Sequence, residues 1–215
     1  MSLQRIFRIS LAGALLLPAL AVAGAAEDYA VAKKAYDAGD VVGAMPLLRK
    51  GTDAGHAPSM VLLGDILDSS EFDEEAAVVF RKAADLGDAE GQFRLGKLYS
   101  LGEGVKKDLA EAHRLILAAA KQGHRQATNV IAQAYLSAQL GIPESAREGE
   151  ESLRWVKAAV DNDYLPAIDA MVLAYRNGGF GLAPDAKEAD RLQAKANALR
   201  NVQQATTRPK RRAAK

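Results

Sequence analysis

The sequence predicts an all-α chain of about five antiparallel helix pairs, and three observations carry that prediction. An ordered set of landmarks recurs: Leu63-Gly64, Leu95-Gly96, Ile131-Ala132 and Met171-Val172 stand at steps of 32, 36 and 40 residues, each followed four residues on by Leu67, Tyr99, Tyr135 or Tyr175. Acceptor side chains at Asp73, Asp108, Ser145 and Asp185 precede apolar runs, and three of them have Glu111, Glu148 or Glu188 three residues later, the spacing of a capping box. The runs themselves repeat at i, i+3 and i+4, as in Leu109, Ala112, Ile116, Ala119 and Ala120. Composition agrees: 215 residues, 49% hydrophobic and 26% charged, supply a packed core and carry too many charges for an integral membrane bundle.

Residues 1–26 read as a secretory signal peptide, with Arg5 and Arg8 at its start, an apolar run from Leu11 to Val22, and small residues through Ala23-Gly24-Ala25. The run is shorter than the ~20 apolar residues of a membrane span and contains Pro18. The expected product is periplasmic, cleaved near Ala23 to Ala26. Residues 27–55 predict a shorter helix pair: one helix to Ala38, a turn at Gly39-Asp40, and a second helix to Gly51 or Gly55, kinked at Pro46 because proline lacks the backbone donor.

Residues 56–205 hold four longer units. The first helix of each contains the Leu-Gly landmark, where Gly64, Gly96 and Ala132 let a second helix approach closely and Tyr99 and Tyr135 fill the space one turn on. Second helices begin at the four acceptor residues, each cap contributing about 1 kcal/mol. They run through Phe80-Arg81-Lys82-Ala83-Ala84, Ile116-Leu117-Ala118-Ala119-Ala120 and Trp155-Val156-Lys157-Ala158-Ala159, each block ending three residues before Gly87, Gly123 or Asn162. Glycine there supplies the left-handed residue that stops a helix, and asparagine is the next-best choice. A pair of this kind cannot bury its apolar face alone, which is the physical reason for tandem copies. Residues 206–215 read as a disordered basic tail carrying Arg208, Lys210, Arg211, Arg212 and Lys215, whereas residues 27–207 carry 21 basic against 27 acidic side chains.

Two segments carry a family resemblance. Gly87-Asp88-Ala89-Glu90-Gly91-Gln92-Phe93-Arg94-Leu95-Gly96-Lys97-Leu98-Tyr99, continuing through Gly102-Glu103-Gly104-Val105 to Asp108 and Ala110, resembles the Sel1-like repeat of the tetratricopeptide superfamily. Val79 to Ala89 is similar to the end of that motif and its junction with the next copy. The resemblance covers about residues 57 to 198. It departs at Ala132, at Gly141-Ile142-Pro143, and at Val172 with the longer Gly178-Gly179-Phe180-Gly181 loop. It implies a right-handed α/α solenoid, with a tetratricopeptide-like pair at 27–55, and first helices lining a concave face. It also implies a non-catalytic scaffold that binds a partner protein.

The inventory for chemistry is thin. Without cysteine, thiol nucleophiles, Cys-ligated zinc, iron-sulfur clusters and disulfides are excluded. His56 and His124 occupy equivalent positions after Gly55 and Gly123, where Asp88 stands in the unit between, so the position reads as a turn; His113 has no partner one turn on. No metal site, cofactor or catalytic set is expected. Gly102-Glu103-Gly104 follows a helix rather than a strand and lacks the Gly-Lys-Ser/Thr of a phosphate loop. Paired carboxylates such as Asp73-Glu74-Glu75 sit at helix starts, where they oppose the dipole.

The expected partner surface is the concave face: Val61 and Asp65, Phe93 and Lys97, Asn129 and Gln133, Asp169 and Leu173, with Ser100 and Arg176 extending the rows. The partner is an envelope protein, with neither nucleic acid nor a small-molecule substrate implied. A second reading is an envelope polysaccharide or cell-wall binding module, in which the basic tail meets anionic polysaccharide or lipid head groups.

Overall fold

The computed structural model describes residues 16–207, within which the chain is helical and no strand occurs. In order, the helices are α1 (Leu16–Asp37), α2 (Val41–Asp53), α3 (Ala57–Ser69), α4 (Asp73–Asp85), α5 (Ala89–Leu101), α6 (Leu109–Lys121) and α7 (Arg125–Leu136). A 3-10 turn (Glu144–Ala146), α8 (Glu150–Asp161), α9 (Leu165–Asn177), a second 3-10 turn (Gly179–Gly181) and α10 (Ala186–Thr207) complete the chain. The helices divide into two compact units whose boundary falls within α5: residues up to Leu95 with Glu103–Lys106, and Gly96–Gly102 with the residues from Lys107 onward.

In the first unit, α1 and α2 form the N-terminal pair, joined at Gly39 and tied by Lys50 to Asp28 at 2.7 Å. The small-residue segment at Ala23 to Ala26 lies inside α1, with Ala25 buried. Asp40 caps α2 by accepting from the Gly43 N–H at 2.8 Å, and α2 continues through Pro46 to Asp53. α3 and α4 pack as the next pair. Gly64 of α3 faces the Phe80 ring of α4 so closely that a Cβ on Gly64 would overlap the ring. Phe80 is thereby fully buried, which contributes about 1.5–3 kcal/mol as area removed from water. Gly104, in its left-handed conformation, seats the loop after α5 against the Asp73 backbone.

The second unit repeats the device. A Cβ on Gly96 would lie 2.7 Å from Ile116 Cγ1 and 3.2 Å from the Ala112 carbonyl oxygen, both on α6. Ile116, Ile131, Val156, Ile168 and Leu192 are each fully buried, one on each of α6, α7, α8, α9 and α10. Ala119, Ala132, Ala159, Ala189 and Ala196 on the same helices are fully buried as well. The loops that close these pairs are equivalent, since Asp108 N–H donates to the Tyr99 carbonyl and Asp185 N–H to the Tyr175 carbonyl. The same two aspartates then cap α6 and α10, accepting from Ala110 and Glu111 N–H at 3.0 Å and from Glu188 N–H at 3.1 Å.

Four local expectations are corrected. Asp73 is the first helical residue of α4 and not its cap, which is Phe72 with no side-chain bond. Ser145 starts no second helix: Pro143 holds an extended backbone, Ser145 enters the 3-10 turn, and α8 begins after Gly149. The buried Ile142 pins that irregular loop. Asn162 keeps a negative φ of −82°, and Asp163 takes the left-handed conformation at φ +61° instead. Lys195 stabilises it there, pairing with Asp163 at 2.8 Å while donating to the Val160 carbonyl at 2.7 Å. The hydrogen bond from Lys195 holds the Asp163 carboxyl below its usual range. The capping boxes are also one-sided, because Glu111 and Glu188 pair forward with Arg114 and Arg191.

Tyr135 fills the space beside α8 as its position predicts, buried and donating to Glu151. Burial, then the hydrogen bond to Glu151, push its phenol up to about 12.

Two measurements check this packing. Gly96→Ala should lower the unfolding free energy by about 1–3 kcal/mol through overpacking, and the same change in an Ile116→Ala background should cost less, because the atom it meets is gone. Equal costs in both backgrounds, by urea titration, would rule out the close approach. Tyr135→Phe should cost about 1 kcal/mol near neutral pH through the lost hydrogen bond. A phenol raised in the folded state stabilises it below the ordinary pKa near 10, and that stabilisation disappears as pH rises toward 12. The stability gap between wild type and Tyr135→Phe should therefore narrow across that interval.

Candidate protein-binding surface

The first helices α3, α5, α7 and α9 start from equivalent positions. His56, His124 and Tyr164 are the residues before α3, α7 and α9, and Asp88 holds the same place before α5. Asp88 accepts from the Gly91 N–H at 2.7 Å and His124 Nδ1 accepts from the Ala127 N–H at 3.0 Å. The ring of His56 instead shares a hydrogen bond of 2.9 Å with the buried Ser59 hydroxyl. Two histidines thus work as helix-start residues, and burial lowers the pKa of both His56 and His113. Among the described residues no group of three or more His, Asp or Glu converges in a metal-binding arrangement.

The predicted partner-binding residues sort into three kinds. Four of them tie helices together. Asp65 of α3 pairs with Arg94 of α5 at 3.2 Å, and Arg94 also bonds Glu90 at 2.7 Å. Gln133 of α7 accepts from the Tyr164 hydroxyl at 3.0 Å, at the entry to α9. The Asn129 side-chain Oδ1 accepts from the Asn162 side-chain amide at 3.2 Å, next to a bond from Arg125 to the Asn162 backbone carbonyl. Asp169 of α9 takes Arg200 of α10 at 2.7 Å. These partners lie about one repeat length along the chain, so each tie sets the position of a neighbouring helix. They are side chains already in use.

Phe93 is of a different kind and corrects the expectation of an aromatic on an open face. It is 5% exposed, inside the core of the first unit. At 3.6 residues per turn Phe93 and the buried Leu95 lie on opposite sides of α5, so that helix is packed on more than one side and its Phe93 side is not an open face. Val61 is half-buried on α3.

The remaining residues are open. Lys97 is exposed and has no hydrogen-bond or ion-pair partner among the described residues. Leu173 is 59% exposed on α9. Arg176 is exposed, with Asp190 4.0 Å away; Ser100 bonds back to the Lys97 carbonyl. Arg208, Lys210, Arg211, Arg212 and Lys215 lie outside the described residues, and the polysaccharide reading rests on them.

One feature had no separate signal at the level of motifs. Within the second unit, Leu173, Ala170, Ala174 and Asn177 of α9 and Leu136 of α7 line a notch of about 270 Å³, walled by Arg147, Glu148, Gly179 and Phe180. Its wall is set by a hydrogen bond of 2.6 Å from the Phe180 N–H to Glu148. Phe180 stands at φ +56°, a conformation that a bulky residue rarely adopts. The departures in the two irregular loops, at 141–143 and 178–181, were its only trace in the sequence.

No family model matches the chain, and no curated protein matches it significantly. Solved structures do. A Sel1 repeat protein from Oxalobacter formigenes is 25% identical with a TM-score of 0.62, over 80% of this chain and 70% of that one. The protein c5321, a protective antigen of uropathogenic Escherichia coli strains displaying an SLR fold, is 22% identical with a TM-score of 0.72 over 81% of this chain. This chain spans 38% of the length of c5321. Stacked helix pairs of this kind offer extended binding surfaces as interaction scaffolds. With its recurrent glycine-spaced helix pairs and these two likenesses, the chain has the Sel1-like repeat fold, an all-α solenoid of antiparallel pairs.

Proposed function

We propose that the protein is a non-catalytic adaptor of the periplasm that holds a partner protein on the open side of its first helices. The observation that carries this reading is the division of labour along the rows. Asp65, Asn129, Gln133 and Asp169 are used to tie helices, while Lys97, Leu173 and Arg176 stay exposed on α5 and α9. A cation without a partner and an open leucine on rigid helices are what a docking surface needs. Apolar contact supplies affinity, and charges set register and association rate. The periplasmic part of the reading rests on Arg5, Arg8, the Leu11 to Val22 run and the small residues after it.

Two experiments test the reading. After mild crosslinking in the envelope fraction, a protein that copurifies stoichiometrically with wild type should be lost with Lys97→Glu, Leu173→Asp and Arg176→Glu combined, while helical circular dichroism is unchanged. Undiminished capture by that variant would place binding on another surface. For location, intact mass of the protein released by osmotic shock should correspond to a start between Gly24 and Glu27; a full-length mass in the cytoplasmic fraction would refute export.

A further inference from the structure

Asn177 and Gly178 join α9 to the loop that follows it, and they form a pair able to react with each other. Of the five asparagines in the chain only Asn177 precedes a glycine. Asn129 and Asn162 bond each other through their side chains at 3.2 Å, Asn197 accepts from Gln193 at 3.1 Å, and Asn201 precedes the β-branched Val202. Asn177 is exposed, and its side chain has no hydrogen-bond or ion-pair partner among the described residues. Glycine at the next position has no Cβ to screen its backbone nitrogen.

The reaction open to this pair is a ring closure. The Gly178 backbone nitrogen gives up its proton to hydroxide and attacks the side-chain Cγ of Asn177. The N–Cγ bond forms, the bond from Cγ to the side-chain nitrogen breaks, and ammonia leaves with a proton taken from water. Water then opens the five-membered imide at either carbonyl, giving aspartate or isoaspartate. In isoaspartate the main chain runs through the former side chain.

The fold restrains this chemistry at three points. Asn177 is the last residue of α9, and a helical backbone keeps the following nitrogen turned away from Cγ. The Gly178 N–H donates to the Ala174 carbonyl at 2.8 Å, so the attacking atom is engaged in closing the last turn. Two residues on, the Phe180 N–H donates to Glu148 at 2.6 Å, which ties the loop to the segment before α8. Ring closure therefore requires the end of α9 to unwind, and helix ends are where such opening costs least.

We propose that Asn177 is a deamidation site whose rate is set by the tie between Phe180 and Glu148. Each opening of the last turn of α9 exposes the pair to reaction, and Glu148 limits how often that happens. The product places a carboxylate at the C-terminal end of α9, where the helix dipole disfavours it. Ageing thereby adds a negative charge to the notch that Leu173 also lines. The proposal does not depend on the adaptor reading.

The test ages the purified full chain at neutral pH, folded or unfolded in urea, and follows each asparagine by peptide mass mapping with enzymatic methyl labelling of isoaspartate. The mass gain of amide to acid should appear at Asn177 before any other asparagine and be absent in Asn177→Gln, which would have to close a larger ring. Unfolding should speed it by more than about tenfold, because the end of α9 no longer has to open first. In the folded chain Glu148→Ala should raise the rate by at least about threefold, as for loss of a hydrogen bond to a charged acceptor. Glu148→Gln keeps an acceptor oxygen and should stay closer to wild type. Glu148 is exposed, so both variants should keep the wild-type helical signal, and in urea all three chains should react equally. Equal rates in the folded and unfolded chain, or no acceleration by Glu148→Ala, would overturn the proposal. Modification first at another asparagine, or a Glu148→Ala acceleration shared by all five, would overturn it likewise.

Discussion

The absence of a Cβ at Gly64 and Gly96 is the constraint on which the rest of the structure depends. At each position a second helix has moved into the space a side chain would occupy, so that Phe80 or Ile116 lies directly on the first helix backbone. Close approach buries these side chains completely and places the backbones of paired helices where short loops can join them. The shared Asp108 to Tyr99 and Asp185 to Tyr175 backbone bonds close those loops in the same way. At the equivalent Ala132 a buried methyl is accommodated, so small size is required at this position and glycine is needed only where the facing side chain is large and close.

Once pairs are held this closely, polar side chains on the first helices come within reach of residues about one repeat away. Asp65, Gln133 and Asp169 are committed there, to Arg94, Tyr164 and Arg200. The two half-exposed ion pairs among them contribute little individually. Their effect is on position: each restricts how one helix sits beside another, and therefore which neighbouring residues remain available. Lys97, Leu173 and Arg176 are what that arrangement leaves open.

The irregular third and fourth units show how variation in loops can add a feature without changing the stack. Gly149 and Pro143 shift the start of α8, and Asp163 replaces a glycine at its end with the help of Lys195. Ile131, Val156, Ile168 and Leu192 are nonetheless fully buried. What changes is the rim, where Glu148 now reaches the Phe180 backbone and a notch opens beside Leu173.

The sequence by itself determined the helix pairs, the positions of close approach and the caps at Asp108 and Asp185, because these depend on residues within a turn or two of each other and recur in register. It also suggested rows for a candidate surface. It did not separate Phe93, which is core, from Lys97, which is open, although both flank the same landmark. Nor did it show that Asp65, Gln133 and Asp169 have partners about thirty residues away. Those outcomes, and the notch built from two loops and two helices, were decided only by the tertiary structure. The orientation of a helix about its own axis and the meeting of distant loops are set by packing, and no local pattern encodes them.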